Sequence, residues 1–260
     1  MIRQGEAEDE VDSDDTLKRL WTGAREGRRG PKPALSLDRI VNAAIGIADA
    51  EGLDAVSMAR IGEALGCSSM ALYRHVSGKG QLLILMLDTV TGALTLPPRT
   101  GRWRDDLVAW TRAQIDGIVE RPWYLDLPLT SAVPGPNRMA WIEAAFEILD
   151  EFDLPGEVRF EIVGLLAQYA LSASRVEIEH RRSVESPVDP GAGDDHGGGD
   201  DRDGQAQTWY FDEILTNLAD PVQFPYTVAA LGDPRSAPVD EDFGLQLILD
   251  GIAAHVARSP

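Results

Sequence analysis

Apolar residues recur at spacings of three and four along almost the whole chain, and neither a period-two strand nor an internal repeat interrupts them. The pattern predicts an all-α protein. Helices are expected near 36–51, 57–65, 68–75 and 77–94, with Pro97-Pro98 closing this first group. A second group is expected near 103–121, 134–153, 156–182, 208–219 and 240–258, punctuated by Pro122, Pro128, Pro134, Pro155 and Pro221. The division predicts a small head, 36–95, and a larger body, 96–260. Between two body helices, residues 183–206 contain Asp194-Asp195-His196-Gly197-Gly198-Gly199-Asp200-Asp201 and read as a disordered surface loop, because such sequence cannot bury apolar surface.

The head repeats one local grammar. Leu37, Ile40, Val41, Ala44, Ile45 and Ala48 form a single stripe, Ser36 is placed to cap it, and Leu35 can staple onto Ile40. Glu51-Gly52 ends the helix, with the glycine expected in the left-handed conformation. Ser57 then caps a second stripe of Met58, Ile61 and Leu65, with Val56 stapled to Ile61, and Gly66 stops it. A third helix capped by Ser68 follows at once, so two short helices meet at a tight turn around Gly66-Cys67. This is a helix-turn-helix pattern, in which the second helix of the pair enters the major groove of DNA. Ala71 and Leu72 can pack inward, leaving Ser69, Met70, Tyr73, Arg74 and His75 to reach outward. Ser77-Gly78-Lys79 is placed to cap the fourth helix, where backbone amides and Lys79 make a natural phosphate site.

Charge first argues against nucleic acid, since 43 acidic and 24 basic side chains give −19. Its distribution reverses that inference. Residues 1–15 carry −6, residues 16–80 carry +4, and the remainder carries −17, so the only basic stretch contains the helix-turn-helix. Residues 1–15 read as a disordered acidic tail and residues 16–35 as a basic arm holding Lys18, Arg19, Arg25, Arg28, Arg29 and Lys32. Arg28 and Arg29 are the arm residues best placed to enter a minor groove; the same charges would also serve as a solubilising tail. An acidic tail beside a basic arm is expected to compete with DNA for it.

The run Ile40-Val41-Asn42-Ala43-Ala44, Gly52-Leu53-Asp54-Ala55-Val56-Ser57-Met58 and Ile61 through Lys79, with Ala71-Leu72-Tyr73-Arg74-His75-Val76 at its centre, closely resembles the DNA-binding domain of TetR-family regulators over residues 36–85. The resemblance implies DNA contacts from Ser69, Met70, Ala71, Tyr73, His75 and Lys79, and Arg74 on the same helix with the capping Ser57 and Ser68 are counted with them as expected DNA-binding residues. Tyr73, His75 and Lys79 are placed by it on phosphates or the groove wall. Ala59, Gly78 and Gly80 depart from the residues commoner in that family, which bears on base preference. The resemblance also implies double-stranded operator DNA and a small-molecule effector as partners, and a homodimer through the helices near 156–182 and 240–258.

The body shows no nucleophile elbow, phosphate loop or zinc motif, which counts against an enzyme and implies no cofactor. Asp105-Asp106 reads as the acidic first turn of a helix. His180, His196 and His255 are scattered and predict no metal site, and Cys67 reads as a small packed hydrophobe. Trp110, Trp123, Tyr124, Trp141 and Tyr169 are the candidates to line an effector cavity; each would equally serve as core. The start of the chain lacks the apolar stretch of a signal peptide, one cysteine allows no internal disulfide, and a cytoplasmic place with no membrane contact is expected. The alternative to a ligand-released repressor is an effector- or partner-binding protein of the same fold with weak or lost DNA recognition.

Overall fold

A computed structural model of the chain describes residues 20–21, 35–127, 134–185, 219–231, 233, 240 and 242–258. Every regular element among the described residues is helical. They are α1 (Leu37–Glu51), α2 (Met58–Leu65), α3 (Ser69–Leu72), α4 (Lys79–Ala93), α5 (Trp103–Glu120), α6 (Pro136–Leu149), α7 (Gly156–Glu185), α8 (Pro225–Leu231) and α9 (Phe243–Val256). Short 3₁₀ turns occupy Leu53–Ala55 and Pro122–Asp126. The acidic tail, the basic arm apart from residues 20, 21 and 35 and thus with Arg28 and Arg29, Pro128, and all but the last residue of the helix expected near 208–219 lie outside the described residues. So does most of the expected loop 183–206, although its first residues belong to α7, which continues to Glu185. Helix α8 was not anticipated: it begins at Pro225, in a segment too short to show a stripe.

The chain forms two compact units, Met1–Arg175 with Leu249–Pro260, and Val176–Ile248. The first holds α1–α6 and the cores that matter for function. Ile40, Val56, Ile61, Leu72, Val76 and Met86 are fully buried in one cluster, each contributing about 1.5–3 kcal/mol of transfer free energy. Two residues from beyond α5, Trp123 and Leu127, complete that cluster, so the head's core extends past residue 95. In the second unit Ile178 and Leu245 are buried, while Val176, Phe243 and Leu247 stand exposed.

Local chemistry explains the helix ends. Ser36 Oγ accepts from the Arg39 N–H and Ser57 Oγ from the Arg60 N–H, as capping side chains do. Ser68 occupies the same position before α3 but makes no side-chain cap bond, since at four residues α3 is little more than a turn. At α4 the cap position is Gly78; the Ser77 N–H and hydroxyl instead donate to Gln81 Oε1, reaching forward from the position before. Gly52 has φ 85° and ψ 166°, an extended mirror-image conformation open in practice only to glycine, and not the left-handed helical one expected. Gly66, at φ 66° and ψ 34°, is left-handed, and the Cys67 N–H bonds the Gly62 carbonyl to close the turn.

Candidate nucleic-acid interface and body cavity

Leu72 and Val76 are wholly buried and fix the segment between them against α1, α2 and α4. Side chains on its other side are thereby turned outward. Met70 is 73% exposed and Tyr73 48% exposed, unusual for side chains of that size, and Ser68, Arg74 and Lys79 are exposed beside them. Ser57 is also exposed, its hydroxyl engaged in capping α2. Ala71 and His75 are half-buried. Ser69 departs from the expectation of an outward side chain: its hydroxyl donates to the Met58 carbonyl at 3.4 Å, because α3 packs across the start of α2. Arg60, which the sequence did not single out, bridges Glu51 of α1 and Glu63 of α2, and these two carboxylates raise its pKa. A methyl at Gly62 would lie 2.7 Å from the Cys67 carbonyl oxygen, so only glycine lets α3 approach α2 this closely.

The second feature is a cavity of about 340 Å³ bounded by α4, α5, α6 and α7. This volume lies in the range of small-molecule sites. Trp110, Tyr124 and Trp141 line it, whereas Trp123 and Tyr169 do not. The Trp123 side chain is turned into the head's core and its indole N–H donates to Asp49 Oδ1 at 2.8 Å; Arg121 Nε reaches the same oxygen at 3.2 Å. Trp123 thus joins α1 to the end of α5, because the 3₁₀ turn after Arg121 swings it away from the cavity. The Trp110 indole N–H donates to the Trp141 carbonyl at 2.9 Å, leaving the ring faces as apolar wall. Burial pushes the Tyr124 phenol pKa up, against the lowering effects of Arg138 and of its hydrogen bond with Thr91. Thr91, Gln114, Arg121, Arg138 and Gln168 supply the polar lining. None of these had a signal in the sequence, since charged, amide and hydroxyl side chains scattered along helices read as solvated surface.

Helix α4 belongs to both features. Lys79 opens it beside the exposed face, and Val90 and Thr91 near its other end line the cavity with Leu94 just beyond. Its fifteen residues span about 22 Å. Behind Thr91 the buried Asp88 carboxylate accepts from the Asn137 side-chain amide at 3.1 Å and from the Arg138 backbone N–H at 3.1 Å, so α4 also holds the first turn of α6.

Residues 40–86 match the family described as bacterial regulatory proteins, tetR family, and residues 97–256 match the tetracyclin repressor-like C-terminal domain. The chain belongs to the TetR family. Its fold and its assignment as a DNA-binding transcriptional regulator follow. This TetR-family chain is 34% identical over 248 residues to the HTH-type transcriptional repressor DrrR1 of Streptomyces coeruleorubidus, covering 94% of this chain and 86% of the relative. It is 36% identical over 119 residues to an HTH-type transcriptional regulator of Saccharopolyspora erythraea, covering 45% of this chain and 50% of that one. Among solved structures it resembles the TetR-family protein ActR of Streptomyces coelicolor in complex with actinorhodin, at 27% identity and a TM-score of 0.65. That likeness covers 87% of this chain and 99% of ActR. ActR has also been solved with (S)-DNPA, at 26% identity to this TetR-family chain and the same TM-score, covering 85% of this chain and 98% of ActR. Among the described residues no helix is long and apolar enough to cross a membrane, and no group of three or more His, Cys, Asp and Glu residues is arranged to hold a metal ion.

Proposed function

We propose that this regulator is a repressor that binds a palindromic operator as a two-fold dimer and leaves it when a small molecule fills the body cavity. The observation that carries the reading is the double membership of α4, which begins beside the exposed Tyr73 and Arg74 and ends in the cavity wall. A ligand that displaces Thr91 or Leu94 would tilt this helix and with it the head. Release requires the ligand to favour the tilted geometry over the DNA-bound one, since only differential affinity moves the equilibrium.

In this reading Met70 and Ala71 face the major groove, with Ser68, Ser69, Tyr73, Arg74 and His75 at its wall and Lys79 on a phosphate. Ser57 sits beside the backbone, and Arg28 and Arg29 of the basic arm reach the adjacent minor groove. A dimer through α7 and α9 is supported by the large apolar side chains left exposed there, Leu165 and Val176 on α7, Phe243 and Leu247 on α9. Elsewhere on α7, Val163, Leu166 and Ala170 are buried, and Ala167 and Leu171 line the cavity with Val163. The kinship with a named repressor supports the sign of regulation.

Fluorescence anisotropy with an operator fragment selected from duplexes of the source genome tests the reading. Tyr73→Ala and Lys79→Ala are expected to weaken binding at least several-fold while the dimer persists in sedimentation, and Lys79→Ala to lower the salt slope by about one. Wild-type affinity in both variants would sink the assigned face.

A further inference from the structure

The turn that follows α5 touches the cavity with some side chains and the head with others. Arg121 comes directly after the last residue of α5; its N–H bonds the Ile118 carbonyl at 3.0 Å, and its own carbonyl accepts from the Tyr124 N–H at 2.8 Å. Arg121 and Tyr124 line the cavity, whereas Trp123 between them is buried in the head's core. A ligand that shifts either lining residue therefore shifts Trp123 as well.

Asp49 receives this turn on the head side. Its Oδ1 accepts from Arg121 Nε at 3.2 Å and from the Trp123 indole N–H at 2.8 Å. Asp49 lies in the last turn of α1, where no basic residue stands beside it. The helix dipole disfavours a carboxylate at that end, so local rules give no reason for it. The donors arriving from the turn after α5 supply one. Helix α1 in turn carries Ile40, Ala44 and Ala48 into the core that backs Leu72 and Val76, so the pose of α1 sets that of the exposed face. Arg121 gives Asp49 its Nε, and the terminal nitrogens of a guanidinium carry further donors. Because the same residue lines the cavity, an acceptor oxygen on a ligand there competes with Asp49 for one group.

We infer that Arg121 is a positioning residue that holds α1 of the head in its DNA-binding pose through Asp49, and that an effector with a carboxylate, phenolate or quinone oxygen loosens this hold by drawing the guanidinium away. The two side chains are 30% and 38% exposed, and an ion pair in such surroundings adds little to overall stability. Its loss shifts α1 without unfolding the head, with the Trp123 hydrogen bond as the pivot. The ligand half of the inference rests on the cavity being the effector site; the hold on α1 does not.

The test uses the full-length protein with the operator fragment and a random duplex of equal length, followed by anisotropy. Asp49→Asn keeps an oxygen for the Trp123 N–H and removes the charge that meets Arg121. Deleting a negative charge from the head would by itself tighten binding to any duplex. The hold predicts the reverse for the operator, a fall of about three- to fivefold, with the random duplex unchanged or tighter. Arg121→Gln should show the same fall, and the double variant no more than either single one. Hydrogen exchange at the end of α1, measured without DNA, should quicken in both variants. Unaltered or tighter operator binding in Asp49→Asn, losses that add in the double variant, or unchanged exchange would each overturn the inference. The ligand half is tested with anthraquinone-2-carboxylate, its binding followed by quenching of tryptophan fluorescence. This probe is expected to release the operator from the wild type, to bind Arg121→Gln more weakly and to leave that variant's residual operator binding unaltered; a probe that does not bind rejects the ligand half. Release from the wild type with full operator affinity in both variants retains derepression and rejects the hold. Weakened variants beside a wild type that keeps its operator with the probe bound retain the hold and reject derepression through the cavity.

Discussion

Asp88 in α4 and Asn137 in the first turn of α6 are joined by three hydrogen bonds: the Asn137 amide donates to the Asp88 carboxylate and to the Asp88 main-chain carbonyl, both at 3.1 Å, and the Asn137 N–H donates to the carboxylate at 3.4 Å. The carboxylate also accepts from the Arg138 N–H, so a buried acid serves as the N-terminal cap that Gly135 cannot provide. Its position is enforced by close packing, for a methyl on Gly135 would lie 2.5 Å from the Asp88 carboxyl carbon. The helix that begins at the head is thus fastened to the helix that carries Arg138 and Trp141 into the cavity.

Asp88→Ala removes the carboxylate acceptor and leaves partly buried N–H groups without it, at about 1 kcal/mol or more. The urea midpoint should fall accordingly. Ligand affinity measured by tryptophan quenching should change little, while the concentration needed to release operator DNA should rise. Unaltered release in a destabilised protein would show that Asp88 is a cap and nothing more.

Gly62→Ala places its methyl against the Cys67 carbonyl oxygen at 2.7 Å, a backbone atom that cannot turn aside. The turn between α2 and α3 must open, at about 1–3 kcal/mol of overpacking. Operator affinity is expected to drop by more than in Tyr73→Ala, and ligand binding in the body to persist. Full operator affinity in Gly62→Ala would contradict the fixed geometry of the reading head.

Acid sensitivity should follow Asp106, the residue read in the sequence as one half of an acidic first turn. Burial by itself would raise its pKa, but hydrogen bonds from the Thr100 N–H and hydroxyl and the Gly101 N–H, with Arg99 nearby, outweigh it and hold the pKa below the ordinary carboxylate value. A lowered native pKa means that this stabilisation is complete above the unfolded-state value and is lost as pH falls through the native one. Thermal melts of Asp106→Asn should lie below wild type at neutral pH, with the difference shrinking on acidification. A difference that widens toward acid would reverse the assignment.

Trp123→Phe keeps an aromatic ring in the head's core but deletes the rest of the indole, including the N–H that donates to Asp49 at 2.8 Å. Stability should fall by about 1 kcal/mol for the hydrogen bond and further for the space left in the core. Probe affinity should stay within experimental error, because Trp123 lies outside the cavity, whereas Trp141→Ala should weaken the probe several-fold. Equal losses in the two variants would place Trp123 back in the ligand's surroundings.

The chain's own pattern determined the helical class, the head and the outward position of Met70, Tyr73 and Arg74, though not the inward turn of Ser69, because these depend on local rules. Ser36 and Ser57 cap where their spacing says they must, Gly66 takes the left-handed turn, and a stripe such as Ile40 to Ala48 can only be buried. The neighbours of each body residue were decided by tertiary structure alone. Trp123 and Trp141 look alike as aromatics in the body, yet a 3₁₀ turn sends one into the head's core and a helix sends the other into the cavity wall. Asp88 carried a faint signal, as a lone acid in the apolar run Leu82 to Val90, but its partners Asn137 and Arg138 lie about fifty residues away. Periodicity reports which face of a helix avoids water; it holds no information about which other helix closes over that face, and the cavity exists only where such faces meet incompletely.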